Sequence, residues 1–283
     1  MSNEIRDYLR VDKLPHIWCP GCGHGIIVNA ALRAIADLDI PKDDICIVSG
    51  IGCASRAPGY LDFNTLHTTH GRALAFATGI KVANPKLNVI VLTGDGDATA
   101  IGGNHLIHAA RRNIGITTIC MNNSIYGMTN GQYSPMTPAE AYATTAPYGN
   151  VERNFDLCLL TKNAGANYVA RGTIANSTQL STLIKNSIEH DGFSFVEAVT
   201  QCPTYFGRKN KMGQAVDMIK DIKKSSVSIQ QAEKMTDEEL VGKIITGEFY
   251  VGNAQEYTKR YDEVIKRAKA SIGIGSSMKG ESK

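Results

Sequence analysis

The chain has 283 residues, 43% of them hydrophobic and 20% charged, with 27 Gly and 9 Pro; this is ordinary globular usage and excludes a collagen-like or disordered polypeptide. No apolar run approaches the roughly 20 residues that cross a bilayer, and the polar start Met1–Asp7 carries no signal core, so a cytoplasmic protein without a membrane span is expected. The formal charge of +3 is concentrated from Arg208 onward, where 15 Lys and Arg stand against 11 Asp and Glu; with no aromatic and basic interleaving, no nucleic-acid partner is expected.

In chain order, residues 23–37 have helical periodicity behind a Gly-rich start, and Ile45–Ser49 suits a buried strand. An Ala-rich helix is expected over 71–84, a strand over Leu87–Thr93 ending at Gly94, a helix around 102–112 and a strand over Ile116–Met121. A strand near Tyr168–Ala170, a helix across 177–189 and a strand over Phe193–Val199 follow. Strands that are apolar almost throughout and alternate with helices predict an α/β fold: a mostly parallel sheet with helices on both faces. Residues 1–207 are expected to form this domain. Residues 208–283 break the rhythm; they are more charged and mostly helical in pattern, and are expected to be a helical extension for subunit docking with a frayed Gly/Ser/Lys-rich end.

Seven cysteines, an odd number, argue against a disulfide framework. Cys46 and Cys120 lie inside apolar strands and Cys158 in the run Leu157–Leu160, so these three read as core residues. The other four sit in Gly/Pro-punctuated segments. Cys19-Pro20-Gly21-Cys22 points two thiolates at one metal; alone it could be half of a zinc site, a redox pair or neither. Cys53 and Cys202 each follow an expected strand, so four thiolates from three loops could hold a [4Fe–4S] cluster.

The strongest chemical signal begins where the best strand ends. Gly94-Asp95-Gly96-Asp97 is followed, about 25 residues on, by Asn122-Asn123 at the end of the next strand. Ligands of a parallel sheet gather beyond the carboxyl ends of its strands, so Asp95 and Asn123 are expected on one rim. A carboxylate and an amide oxygen there suit Mg²⁺ together with phosphate oxygens. The pattern resembles the thiamine-diphosphate signature. By that resemblance Asp95 and the Asn123 side chain bind Mg²⁺, with the backbone carbonyl of Ile125 as third ligand, and Gly96, Asp97, Gly127 and Met128 line the diphosphate.

Over roughly residues 10–210 the combination is more specific. Cys19 to Gly25, Gly50-Ile51-Gly52-Cys53, His67 to Ala73, Gly94 to Asp97, Asn122 to Gln132 and Gln201 to Thr204, in that order, resemble the β subunit of 2-oxoacid:ferredoxin oxidoreductases. The resemblance implies a thiamine-diphosphate-binding fold, with cluster ligands at Cys19, Cys22, Cys53 and Cys202. It also implies thiamine contacts from Ile51, Gly52, Cys53, Ala54 and a histidine of the 67–70 segment, of which His70 is favoured; alternatively His67 and His70 cap and orient the next helix. His105 and His108 read as structural or surface residues. Met128 to Gln132 corresponds to the family's loop on the substrate side. Asn130 departs from the Lys or Gly of many members, but the loop most resembles enzymes of 2-oxoglutarate; pyruvate and branched-chain 2-oxoacids are the alternatives.

The implied reaction is CoA-dependent oxidative decarboxylation of a 2-oxoacid, with electrons leaving through the cluster to ferredoxin. A carboxylate on the aminopyrimidine ring is needed for acid–base work, and no second, pyrimidine-binding domain is legible in the sequence. In the resembling family an α-subunit glutamate fills that role, so this chain is expected to be inactive alone and to assemble with an α subunit, with or without further small subunits. Two rival readings are a Rossmann-type enzyme, which lacks its G-x-G-x-x-G after a strand, and a zinc-stabilised binding protein using the four thiols.

Overall fold

Strands that are buried on both faces need helices on both faces, and that requirement organises the molecule. The computed structural model describes residues 3–271. Its strands are β1 (Ile45–Ser49), β2 (Asn64–His67), β3 (Asn88–Gly94), β4 (Ile116–Asn122), β5 (Tyr168–Thr173), β6 (Ser194–Val199), β7 (Ser226–Ser228) and β8 (Ile244–Val251). The helices are α1 (Asn3–Arg6), α2 (His24–Asp37), α3 (Ala73–Ala83), α4 (Asp95–Thr99), α5 (Gly103–Arg112), α6 (Leu157–Ala164), α7 (Ser177–Glu189), α8 (Ala215–Ser225), α9 (Ile229–Ala232), α10 (Asp237–Leu240) and α11 (Tyr257–Ser271). One sheet runs in the order β2-β1-β3-β4-β6-β5-β8-β7, parallel except where β8 meets β5.

Side chains of successive strand residues point to opposite faces. Ile45, Ile47, Ile90, Leu92, Ile119 and Met121 pack with Ile27, Leu32 and Ile35 of α2 and Leu180 and Ile184 of α7. Their neighbours Cys46, Val48, Val89, Val91 and Cys120 pack on the other face with Leu74 and Ala77 of α3, Leu106 of α5 and Cys158 of α6. The three cysteines read as core residues are therefore core residues, all buried.

The segment after Arg208 is not helical throughout. It supplies α8 and the C-terminal α11, but β8 also pairs antiparallel with β5, and β7 pairs with β8, so the segment adds the last two strands of the sheet. β8 is half exposed, is interrupted by Gly247 at φ +130° and shifts register against β5 between Val169 and Ala170; it lacks the continuous apolar run that marks the central strands. The Gly/Ser/Lys-rich end expected to be frayed lies outside the described residues, apart from Ser271. Among the described residues no helix is long and apolar enough to cross a membrane.

Register aligns the rim that matters. Ser49 lies opposite Leu92, Gly94 opposite Met121 and Asn122 opposite Val199. The chain therefore leaves β1, β3, β4 and β6 along one edge, at 50–53, 95–97, 123–132 and 200–203. From Asn123 to Asp156 it runs without a helix or a named strand, and packs Ile125, Ala143 and Ala146 against Cys202.

Candidate active site

Every residue assigned from the sequence to thiamine diphosphate or Mg²⁺ lines one cavity of about 410 Å³ on this rim: Ile51 to Ala54, His70, Asp95 to Asp97, Asn123, Ile125, Gly127 and Met128. His67 does not; it is exposed at the end of β2. Neither His67 nor His70 caps α3, whose N-cap residue is Arg72. His105 and His108 are half-buried on α5, where His108 Nδ1 accepts from Arg111 Nε at 3.2 Å.

The two aspartates of the Gly-Asp-Gly-Asp segment have different environments. Asp95, 2% exposed, accepts a hydrogen bond from Ser134 Oγ, and burial pushes its carboxyl up to about 7 against that bond. Backbone N–H groups of Asp95, Gly96 and Asn123 also favour the charged form, yet burial outweighs them, and a carboxylate so buried suits a cation. Asn123 and Ile125 follow from the adjacent strand, and their oxygens are the hard donors Mg²⁺ takes. Asn123 Oδ1 accepts from Ile125 N at 3.3 Å, closing a turn around Ser124, whose φ is +62°. Asp97, 3% exposed, is bound by protein donors instead. Its Oδ1 meets His70 Nδ1 and Gly71 N at 2.7 Å and Ile51 N at 3.3 Å, and its Oδ2 accepts from Thr93 Oγ1 at 2.8 Å. The Asp97 carboxylate ties the β1 and β3 loops together and orients His70.

One glycine keeps the cavity open, and a second faces two of the thiols. A Cβ at Gly96 would overlap the ring of Tyr126, whose hydroxyl donates to the Gly96 carbonyl at 3.0 Å. A Cβ at Gly127 would stand 3.5 Å from both Cys53 Sγ and Cys202 Sγ. The cavity wall and the thiols therefore share a glycine.

The other two thiols are held nearby by the loops themselves. Trp18 Nε1 donates to the Cys53 carbonyl at 2.7 Å, and Gln201 Nε2 donates to the carbonyls of Gly21 at 2.8 Å and Ala215 at 3.0 Å. Cys22 N closes the small loop onto Cys19 O at 3.0 Å. Burial pushes the Cys22 thiol up to about 12 and Cys53 up to about 11; repulsion from Cys202 and Cys19 adds to both, and repulsion from Cys53 adds to Cys22. Thiolates so grouped are stabilised by a cationic centre, which deprotonates a coordinating thiol outright. Among the described residues, however, no three His, Cys, Asp or Glu side chains converge closely enough for one metal ion.

Residues 50–198 match the thiamine pyrophosphate enzyme family, C-terminal TPP binding domain. The chain is 54% identical over 273 residues to 2-oxoglutarate synthase subunit KorB of Methanothermobacter marburgensis, covering 96% of each. It is 54% identical over 263 residues to the KorB subunit of Methanocaldococcus jannaschii, covering 93% of this chain and 97% of that one. The chain belongs to this KorB family of enzyme subunits. A solved 2-oxoglutarate:ferredoxin oxidoreductase from Magnetococcus marinus, with 2-oxoglutarate, coenzyme A and succinyl-CoA bound, superposes with a TM-score of 0.85 at 36% identity, over 98% of this chain and 97% of that one.

Several residues of this KorB-family site carry no signal of their own in the sequence. Ser134 reaches Asp95 from 39 positions away, and Tyr126 and His24 line the cavity from inside longer motifs. The loop from Tyr126 to Gln132 is a tight hairpin: Tyr126 N donates to Gln132 O at 3.0 Å, and Gly131 N to Tyr126 O at 2.8 Å. Asn130 sits at φ +78°, and its side chain accepts from Tyr205 Oη at 2.7 Å. The Asn130 amide is thereby tied to the segment that follows Cys202.

Proposed function

We propose that this chain is the β subunit of a 2-oxoglutarate:ferredoxin oxidoreductase, binding thiamine diphosphate, Mg²⁺ and a [4Fe–4S] cluster and working with an α subunit. One observation carries the reading: Cys53 lies in the wall of the cavity that contains Asp95 and Asn123, and a Cβ added to Gly127 in the same wall would meet both Cys53 Sγ and Cys202 Sγ at 3.5 Å. A cofactor site beside these thiols suits an oxidation that follows decarboxylation, and has no use in a non-oxidative thiamine enzyme.

When bound, thiamine diphosphate supplies the electron sink for decarboxylation and the cluster a one-electron acceptor. The chain's own residues do the rest. Asp95, Asn123 and the Ile125 carbonyl would hold Mg²⁺, and Gly96 and Gly127 would let the backbone approach a diphosphate. Asp97 holds the His70 proton at Nδ1 and leaves Nε2 free for a ligand in the cavity. Ile51, Ala54, Met121, Ile125 and Met128 give the cavity an apolar wall. Cys19, Cys22, Cys53 and Cys202 would hold the cluster.

The cavity's carboxylates are Asp95 and Asp97, each already engaged, and no glutamate is among its lining residues. This supports an aminopyrimidine-activating glutamate supplied by the α subunit. The names of the relatives support 2-oxoglutarate and coenzyme A as substrates, with ferredoxin as acceptor. Seven unpaired cysteines fit a reducing compartment, and the cytoplasm is the proposed setting.

The test is CoA-dependent reduction of ferredoxin by the complex reconstituted with its α subunit, across 2-oxoglutarate, pyruvate and branched-chain 2-oxoacids. Turnover is expected only with both subunits and to be fastest with 2-oxoglutarate. A complete complex that turns over none of these acids would overturn the reading.

A further inference from the structure

His24, the first residue of α2, touches both halves of the site. It is 1% exposed, its Nδ1 lies 3.3 Å from Cys22 Sγ, and its ring belongs to the wall of the cavity. Trp18 covers it, with ring centroids 5.9 Å apart. No hydrogen-bond partner of Nε2 is found among the described residues, so the contact with Cys22 is the one polar interaction that fixes the ring there.

A sulfur that ligates iron carries no proton and can only accept a hydrogen bond. In the cluster-loaded protein the proton of this contact must therefore reside on His24 Nδ1, which donates to the Cys22 sulfur. Hydrogen bonds to cluster sulfurs are among the determinants of cluster potential. Such a bond stabilises the reduced, more negative cluster over the oxidised one. Of the four thiols, Cys22 is the one given this partner: Cys19, Cys53 and Cys202 have no side-chain donor to sulfur among the described residues.

We propose that His24 is a positioning residue for electron transfer: its Nδ1–H bond to Cys22 Sγ raises the potential of the cluster on the side facing the thiamine cavity. The proposal rests on the cluster reading above. It assigns His24 no proton transfer and no contact with the reacting atoms. Its consequence is an acceptor that takes an electron more readily from a cofactor bound in the adjoining cavity.

The test is an EPR-monitored redox titration of the α-reconstituted complex, comparing the parent with His24→Leu, His24→Phe and His24→Gln, each assayed for iron and for thiamine diphosphate binding by calorimetry. His24→Leu removes the donor and should lower the cluster potential by about 59 mV, a tenfold shift in the one-electron ratio of oxidised to reduced cluster. His24→Gln, which can still donate from an amide, should recover part of that shift. His24→Phe keeps a ring in the wall without a donor, and carries the measurement if His24→Leu assembles without iron. Unchanged potential in an iron-replete Leu or Phe variant would overturn the proposal. So would loss of iron from both, which would make His24 an assembly residue, or a fall in thiamine diphosphate affinity without a change in potential. A parent complex containing no iron would instead overturn the cluster reading on which the proposal stands.

Discussion

Glu197, buried in β6, accepts a 2.7 Å hydrogen bond from Asn122 Nδ2, and Asn122 immediately precedes the Asn123 assigned to Mg²⁺. The same carboxylate takes Arg171 Nε at 2.7 Å through its other oxygen, and Arg171 reaches on to Asp156, the N-cap of α6, at 2.9 Å. Asn122 Oδ1 in turn accepts from Ser124 N at 3.0 Å. A chain of polar contacts thus runs from β5 through β6 to the left-handed residue Ser124, and holds the turn that presents Asn123 and Ile125.

Arg171→Met should be strongly destabilising, because it leaves Glu197 buried without its cation. Breaking one side of a buried pair costs roughly 3–5 kcal/mol, and both side chains are shielded here, at 12% and 3% exposure. The double variant Arg171→Met/Glu197→Leu removes both charges and should be less destabilised than the sum of the single variants. Denaturant unfolding of the three variants measures this. Additive losses would show that the pair does not act as a unit.

Asp95→Asn and Asp97→Asn should fail in different ways. At Asp95 the amide can keep an oxygen for Ser134 but loses the charge for Mg²⁺. Thiamine diphosphate binding in the presence of Mg²⁺ should weaken by more than the roughly 10–100-fold typical of outer-shell losses, with little change in thermal midpoint. At Asp97 an amide nitrogen would replace one of two oxygens that receive protein donors. Stability should then fall by about 1–3 kcal/mol and the orientation of His70 should be lost. Calorimetry and thermal unfolding, run on both variants, separate the two roles.

What the sequence revealed and what it concealed follow from range. Gly94 to Asp97 and Asn122-Asn123 sit at the ends of neighbouring apolar strands, and one rule about parallel sheets brings them to one rim. The partners that make those residues work come from far away: Ser134 for Asp95, Glu197 for Asn122, Tyr205 for Asn130. None belongs to a local pattern. β2 was hidden because Asn64–His67 is exposed to half-exposed along its length, and β7 because three residues carry no periodicity. β8 was hidden by a polar, Gly-interrupted sequence whose strand character comes from pairing with β5. The four thiols separated from the three core thiols because loops and strands differ in punctuation, which is a local property.

Gly96→Ala should block the cavity while leaving the fold intact. The added methyl overlaps the Tyr126 ring, which must swing away, breaking the 3.0 Å bond to the Gly96 carbonyl and pushing the ring into the space for cofactor. Tyr126→Phe keeps the ring and loses only that bond, worth about 0.5–1.5 kcal/mol. Thiamine diphosphate binding should therefore be nearly normal in Tyr126→Phe and lost in Gly96→Ala. Equal affinities in the two variants would show that the ring does not line the diphosphate's path.

Cys202→Ala and Cys120→Ala compare a proposed ligand with a core thiol. Both residues are buried, so burial alone does not distinguish them. Cys202 Sγ and Cys53 Sγ would each meet a Cβ added to Gly127 at 3.5 Å, whereas Cys120 lies in β4 in one cluster with Val48, Val91 and Ala98. Replacing Cys120 removes one apolar atom from a packed core and should cost about 1 kcal/mol, with iron content unchanged. Replacing Cys202 should cost little stability in the iron-free chain, and should abolish both the iron and the dithionite-bleachable colour of the anaerobically prepared complex. Iron and sulfide analysis beside a denaturation curve decides the matter: a Cys202→Ala complex that keeps full iron would remove this residue from the ligand set, and loss of iron in Cys120→Ala at intact fold would add that one.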